Sequence, residues 1–154
     1  MSNSVLTVMS RDFIYLSLGS NLGDREANLR KAIRLLELGL GVGCTRISEF
    51  ITTKSWGFDA PDFLNAVAVF PVGKADPFEV LDLCKRIERE MGRTDGPEYG
   101  EDGKRIYHSR IIDIDILLFG ELRLDTPQLK IPHPLMWERD FVTVPLRQVM
   151  DGQA

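Results

Sequence analysis

The chain has 154 residues, 44% of them hydrophobic and 27% charged, with a formal net charge of -4. That suffices for a single domain with its own core, and one domain spanning 1–154 is expected. The acidic balance argues against a broad nucleic-acid surface, no apolar run is long enough to span a membrane, and the opening MSNSVLTVMS lacks the basic start and apolar run of a signal peptide.

Residues 1–10 read as a loosely ordered tail. RDFIYLSLG, Arg11 to Gly19, reads as a first strand ending in glycine. A helix follows it. Asp24 is placed as N-cap, Leu29, Ala32, Ile33 and Leu36 share one helical face, and Gly39 is expected to stop it. CTRISEFITTK has the β-branched content of a second strand, SWGFDAPD is a loop, and FLNAVAVFPV alternates like a third strand. ADPFEVLDLCKRIEREMGR carries the clearest helix signals. Asp76 serves as N-cap, Pro77 occupies the first turn and Glu79 completes a capping box. Val80, Leu83, Cys84, Ile87 and Met91 form its apolar face, and Gly92 ends it.

Thr94 to Ser109 is a glycine-rich, charged loop of the length that often serves as a lid or binding loop. RIIDIDILLFG, Arg110 to Gly120, is a strand, GELRLDTPQLKIP a hairpin-like segment, and HPLMWERDFVTVPLRQV a tail with a helical turn or two. Strand, helix, strand, strand, helix, strand is the ferredoxin-like order. It predicts an α+β fold: an antiparallel βαββαβ sheet with helices on one face and a C-terminal hairpin and helical extension. The two cysteines, Cys44 and Cys84, form neither a CxxC pair nor a Cys/His cluster, which suits reduced thiols in a cytoplasmic protein.

One strand poses an electrostatic problem. Side chains alternate across a strand, so Ile112, Ile114, Ile116 and Leu118 share one face while Asp113 and Asp115 share the other. The two aspartate Cα atoms fall roughly 7 Å apart, from the rise per residue. Carboxylates that close repel, and a divalent cation removes the conflict. Mg²⁺ takes one or two carboxylates and completes its octahedron with waters and substrate phosphates. A pair of ions about 4 Å apart fits this spacing. A solvated sheet face would also explain a DxD pair. Against that stand Arg110 at the mouth of the strand, the charged loop feeding into it, and His133, Trp137, Arg139 and Phe141 close behind. Together they suggest a phosphate-bearing ligand with a flat ring. GSNLGD, Gly19 to Asp24, is not a P-loop: no G-x-x-x-x-G-K-[ST] is present. It reads as a tight turn with an N-cap, where glycine also allows a ligand to approach the backbone.

The segments YLSLGSNLGDREANLRKAI, TTKSWGFDAPDFLNAV, RIEREMGR, RIIDIDILLFG and IPHPLMWERDF run from Tyr15 to Phe141. In this order they resemble the 6-hydroxymethyl-7,8-dihydropterin pyrophosphokinase family of folate biosynthesis. The resemblance implies transfer of the β,γ-diphosphate of ATP to the pterin hydroxymethyl group, with release of AMP. It also implies two Mg²⁺ ions held by Asp113 and Asp115. By matched position, Glu88, Arg93, Arg110, Ile116, His133 and Arg139 are nucleotide or phosphate contacts, with Arg93 and Arg110 taking catalytic roles beside the aspartates. Phe63 and Phe141 match the aromatics that sandwich the pterin. Asn65 matches the residue that reads its amide-like edge, and Thr53, Trp56 and Tyr107 match positions lining or closing over the pocket. Lys104 or Arg105 aligns with phosphate-binding residues of the loop. Phe63 stands where tyrosine is common, Pro134 where a tyrosine could follow the histidine, and the 94–109 loop is longer and more acidic than a compact version. The expected partners are ATP and the pterin, with no nucleic acid and no membrane, in a monomer, a dimer being left open. A domain that binds nucleotide or pterin without chemistry, and a different metal-dependent phosphotransferase or hydrolase, are the competing readings.

Overall fold

The computed structural model describes residues 13–53, 62–92 and 111–150, together with the backbone of 98–99 and 105–106. The expected tail at 1–10 lies outside these residues. Strand β1 (Phe13–Ser20) lies at the centre of a five-stranded antiparallel sheet. It pairs with β4 (Phe63–Pro71) on one side and with β7 (Asp113–Phe119) on the other. Two short strands, β2 (Arg46–Ile47) and β3 (Ile51–Thr53), both pair with the far edge of β4. The order β2/β3–β4–β1–β7 is the ferredoxin-like arrangement, so the α+β expectation holds. The expected second strand is split because Ser48 interrupts it. Its hydroxyl accepts the Val67 amide at 2.8 Å and donates to the Glu49 carbonyl at 2.9 Å.

Helices α1 (Arg25–Leu40) and α2 (Pro77–Glu90) cover one face. Asp24 caps α1, accepting the Ala27 amide at 3.1 Å, and Asp76 caps α2, accepting the amides of Phe78 and Glu79. The apolar faces read from the 3.6-residue period are the buried ones: Leu29, Ala32, Ile33 and Leu36 from α1, and Val80, Leu83, Cys84, Ile87 and Met91 at α2. They pack against Ile14, Leu16, Leu18, Ala66, Ala68, Phe70, Ile112, Ile114 and Ile116 of the sheet. Each leucine-, isoleucine-, valine-, methionine- or phenylalanine-sized side chain among them contributes roughly 1.5–3 kcal/mol on burial. Gly39 does not stop α1. The helix runs on to Leu40 and closes on Gly41, whose φ of 73° is the left-handed cap conformation. Gly39 instead lets α2 come close, since a Cβ there would collide with the Leu83 side chain.

The C-terminal tail forms more than a turn or two. Helix α3 (Asp140–Met150) spans 11 residues and packs on the opposite face of the sheet. Val142, Leu146 and Val149 project from it at i, i+4 and i+7 onto Tyr15, Val67, Val69 and Leu117. Pro145 lies inside this helix, where it costs an amide donor. The buried stripe on either side of the proline offsets that cost.

A second departure lies in β7. Tyr15 pairs with Leu118, but Leu16 pairs with Ile116, so Leu117 is an extra residue in the strand. This bulge shifts the alternation by one. Ile112, Ile114 and Ile116 face the α1/α2 core as expected, whereas Leu118 joins Leu117 against the α3 cluster. The long loop also contains a short ladder, β5 (Glu98–Tyr99) with β6 (Arg105–Ile106), in which Tyr99 stands opposite Arg105. Beyond β7 the expected hairpin is present as β8 (Leu124–Asp125) and β9 (Lys130–Ile131).

Candidate active site

The α3 cluster covers only part of its face. Its strand residues are Tyr15, Val67, Val69 and Leu117, with Phe13 and Leu118 at the margin. The next residues along the same strands and the same face are polar or absent. In one row Asn65, Gly19 and Asp113 lie side by side on β4, β1 and β7. In the next, Val67, Ser17 and Asp115 do so. Paired residues of antiparallel strands project to the same side, so Asn65, Asp113 and Asp115 share one patch of sheet. Both aspartates are half-buried, and the isoleucines between and beside them are anchored in the core. The strand is therefore a rigid holder for the carboxylates.

At the β4 end of the patch, Asn65 is 4% exposed, and its Nδ2 donates to Thr53 Oγ1 at 2.7 Å. Phe63 projects from β4 on the same side, paired with Thr53 and half-buried. Phe141 enters from the first turn of α3, packed against the edge of the α3 cluster. The Arg139 guanidinium lies 5.6 Å from the centroid of its ring. This contact holds the arginine at the helix start, where its carbonyl also accepts the amides of Val142 and Thr143.

On the outer edge of β7 lies a cavity of about 330 Å³. Helix α2 lines it with Leu81, Lys85 and Glu88, β7 with Asp113 to Ile116, and the hairpin and following turn with Pro127 to Lys130, His133 and Pro134. Glu88 is 4% exposed and accepts the Ile114 amide at 2.8 Å. An edge strand needs such a partner for its outward amides. Ile116, two residues on, also lines the cavity. The side chain of Ile116 is buried in the α1/α2 core, so the residue joins the core to the cavity wall. His133 closes the far end of the edge: its amide donates to the Leu117 carbonyl at 3.0 Å. Its Nδ1 accepts the Leu135 amide at 3.2 Å, which leaves the proton of a neutral ring on Nε2.

The structure thus brings Glu88, Asp113, Asp115, Ile116 and His133 around one cavity, and places Thr53, Phe63 and Asn65 on the adjoining patch with Asp113 and Asp115. Arg139 and Phe141 stand together at the start of α3. Trp56, Arg93, Lys104, Tyr107 and Arg110 lie outside the described residues, and of Arg105 only the backbone is described. Three features escaped the sequence reading. Lys85 and Lys130 line the cavity, and the bare Gly19 leaves room for the Asn65 amide oxygen. Lys85 was detectable in principle, since it precedes Glu88 by three residues and so shares its helix face. Among the described residues, no group of three or more His, Cys, Asp or Glu gathers as a metal cluster. No helix among them is long and apolar enough to cross a membrane.

Residues 15–151 match the family model described as 7,8-dihydro-6-hydroxymethylpterin-pyrophosphokinase. The chain belongs to this family. A Porphyromonas gingivalis 2-amino-4-hydroxy-6-hydroxymethyldihydropteridine pyrophosphokinase is 45% identical over 138 residues, covering 88% of this chain and 89% of the relative. A Bacillus subtilis protein of the same name is 42% identical over 136 residues, covering 88% and 76%. A mitochondrial folate synthesis bifunctional protein of Arabidopsis thaliana is 44% identical over 134 residues, but these make up only 22% of its length. As a pyrophosphokinase of this family the chain is an enzyme, a diphosphotransferase, and the patch and cavity described above are its candidate active site.

Proposed function

We propose that this enzyme transfers the β,γ-diphosphate of ATP to the hydroxymethyl group of 6-hydroxymethyl-7,8-dihydropterin, releasing AMP. The carrying observation is the position of Asp113 and Asp115 on β7. They border both the cavity at the strand's outer edge and the patch that ends in Asn65. A nucleotide in the cavity and a pterin on the patch would meet at these carboxylates.

The chain's own groups divide the work. Asn65 has one amide proton committed to Thr53, which leaves its second N–H and its Oδ1 for the donor–acceptor edge of the pterin. Phe63 and Phe141 supply the flat contacts, offset as aromatic pairs prefer, and Trp56 and Tyr107 complete the pocket. Ile116 and the Glu88 carboxylate, both lining the cavity, face the nucleoside part of ATP. His133 Nε2–H and the guanidinium groups of Arg93, Arg110 and Arg139 bind phosphate oxygens. The donor set at Asp113 and Asp115 fits Mg²⁺: two hard carboxylates, with no third acidic or histidine ligand clustered among the described residues. These aspartates would hold two Mg²⁺ ions, which neutralise the triphosphate and polarise its β-phosphorus. The hydroxymethyl oxygen forms a bond to the β-phosphorus and gives up its proton to solvent water, as the bond from the β-phosphorus to the α,β-bridging oxygen breaks and AMP departs with that oxygen. Positioning and charge stabilisation supply the rate.

Incubation with the pterin, ATP and Mg²⁺ should yield AMP and the pterin diphosphate in equal amounts. If ADP is the nucleotide product, or if ATP is hydrolysed to free phosphate without pterin, the assignment is wrong.

A further inference from the structure

The glycine in the middle of the polar row answers to a steric requirement. Gly19 lies between Asn65 and Asp113 in the sheet register, on the central strand. A Cβ built on Gly19 would lie 2.8 Å from Asn65 Oδ1 and 3.5 Å from Phe63 Cδ1. The first distance is too short for a real contact, and the second is ordinary van der Waals packing. Gly19 has no positive φ, so no backbone requirement explains a glycine here. The space itself does.

From this we infer that Gly19 is a positioning and specificity-determining residue for the acceptor site. The inference rests on the proposed placement of the pterin against Asn65. Asn65 is constrained on two sides. Thr53 Oγ1 takes one proton of its Nδ2, and the bare Cα of Gly19 leaves room for Oδ1 where a Cβ would meet it. A methyl group at position 19 pushes the amide off the Thr53 hydroxyl or turns it about its axis. Either movement takes the donor–acceptor pair away from the ring edge it has to meet.

The test is a double-mutant cycle on the intact chain, with pterin affinity measured by calorimetry and ATP-analogue affinity and melting temperature measured alongside. Gly19→Ala should weaken pterin binding roughly 10- to 100-fold, the scale of one or two misdirected hydrogen bonds. ATP-analogue affinity and melting temperature should stay near wild type. In an Asn65→Ala background the added methyl meets no amide, so Gly19→Ala should cost almost nothing further. Thr53→Val should resemble Gly19→Ala, and Thr53→Ser, which keeps the hydroxyl, should restore binding. Equal losses from Gly19→Ala with and without Asn65, or unchanged pterin binding in an active wild-type background, would overturn the inference. If Gly19→Ala fails to fold, the Gly19→Ala/Asn65→Ala pair, in which the clash is relieved, is compared with Asn65→Ala alone. A wild-type protein that makes no AMP with pterin and ATP would instead refute the underlying functional reading.

Discussion

The two faces of the sheet are built from the same strands yet serve different ends. One is sealed by α1 and α2 over an uninterrupted layer of isoleucine, leucine, alanine and phenylalanine. The other is sealed by α3 only over Tyr15, Val67, Val69 and Leu117, and beyond them it turns polar at Ser17, Asn65, Asp113 and Asp115. Alternate residues of β7 serve the two faces in turn: isoleucines anchor the strand below, and aspartates are presented above. A rigid site is obtained by giving one side of a strand to the core and the other to chemistry.

The largest contrast should come from neighbours on β7. Asp113→Ala or Asp115→Ala should lower the rate of AMP formation by on the order of 10³-fold or more, while the denaturant midpoint barely moves. Ile114→Ala, one residue away on the sealed face, should do the reverse. It should cost roughly 2–5 kcal/mol of stability, with turnover per folded molecule close to wild type. Loss of fold in the aspartate variants, seen by circular dichroism, would show that the two faces are not functionally separate.

A smaller effect is expected within the sealed face. Gly39→Ala places a methyl against Leu83 where α1 and α2 touch. Overpacking of this kind costs roughly 1–3 kcal/mol, partly offset by the better helix propensity of alanine. Urea unfolding should show the loss, and Leu83→Ala in the same chain should relieve part of it. A plain gain in stability would mean that the helices can separate freely.

The smallest effect sharpens the electrostatic side of the comparison. Burial pushes the Cys84 thiol far above its ordinary value of 9.0, with the Glu88 and Asp115 charges adding to the shift. The folded protein therefore keeps this proton at pH values where the unfolded chain releases it. The sign follows: the contribution is intact below pH 9 and is lost as pH rises beyond it, with a slope approaching ~1.4 kcal/mol per pH unit. Cys84→Ala should flatten stability between pH 9 and 10.5, and the native thiol should resist alkylation at pH 8. Rapid labelling at pH 8 would show that the α1/α2 face opens.

Much of this was legible in one dimension. The helix faces, the caps at Asp24 and Asp76, and the period-two pattern that pairs Asp113 with Asp115 depend on local geometry, and each appears in the structure. The misreadings share one cause. Gly39 looked like a terminator because glycine commonly follows a helix, but here it faces a second helix. Leu118 was assigned by strict alternation, which a bulge at Leu117 interrupts. The tail was read as a turn or two, whereas α3 runs for 11 residues past Pro145, held by a buried stripe that only packing on the sheet provides.

The sequence by itself determined which residues alternate, where helices begin, and that two carboxylates sit together on a strand held by isoleucines. It also carried the family resemblance, because motif order is a one-dimensional property. Tertiary structure decided what stands beside those carboxylates. The register of β1 against β4 and β7 sets Asn65 and Asp113 on either side of a bare Gly19. The reach of α3 decides how much of that face stays uncovered, and the β7 edge places Glu88 and His133 around a cavity. Strand pairing and helix packing join residues far apart along the chain, and no local propensity encodes which of them will meet.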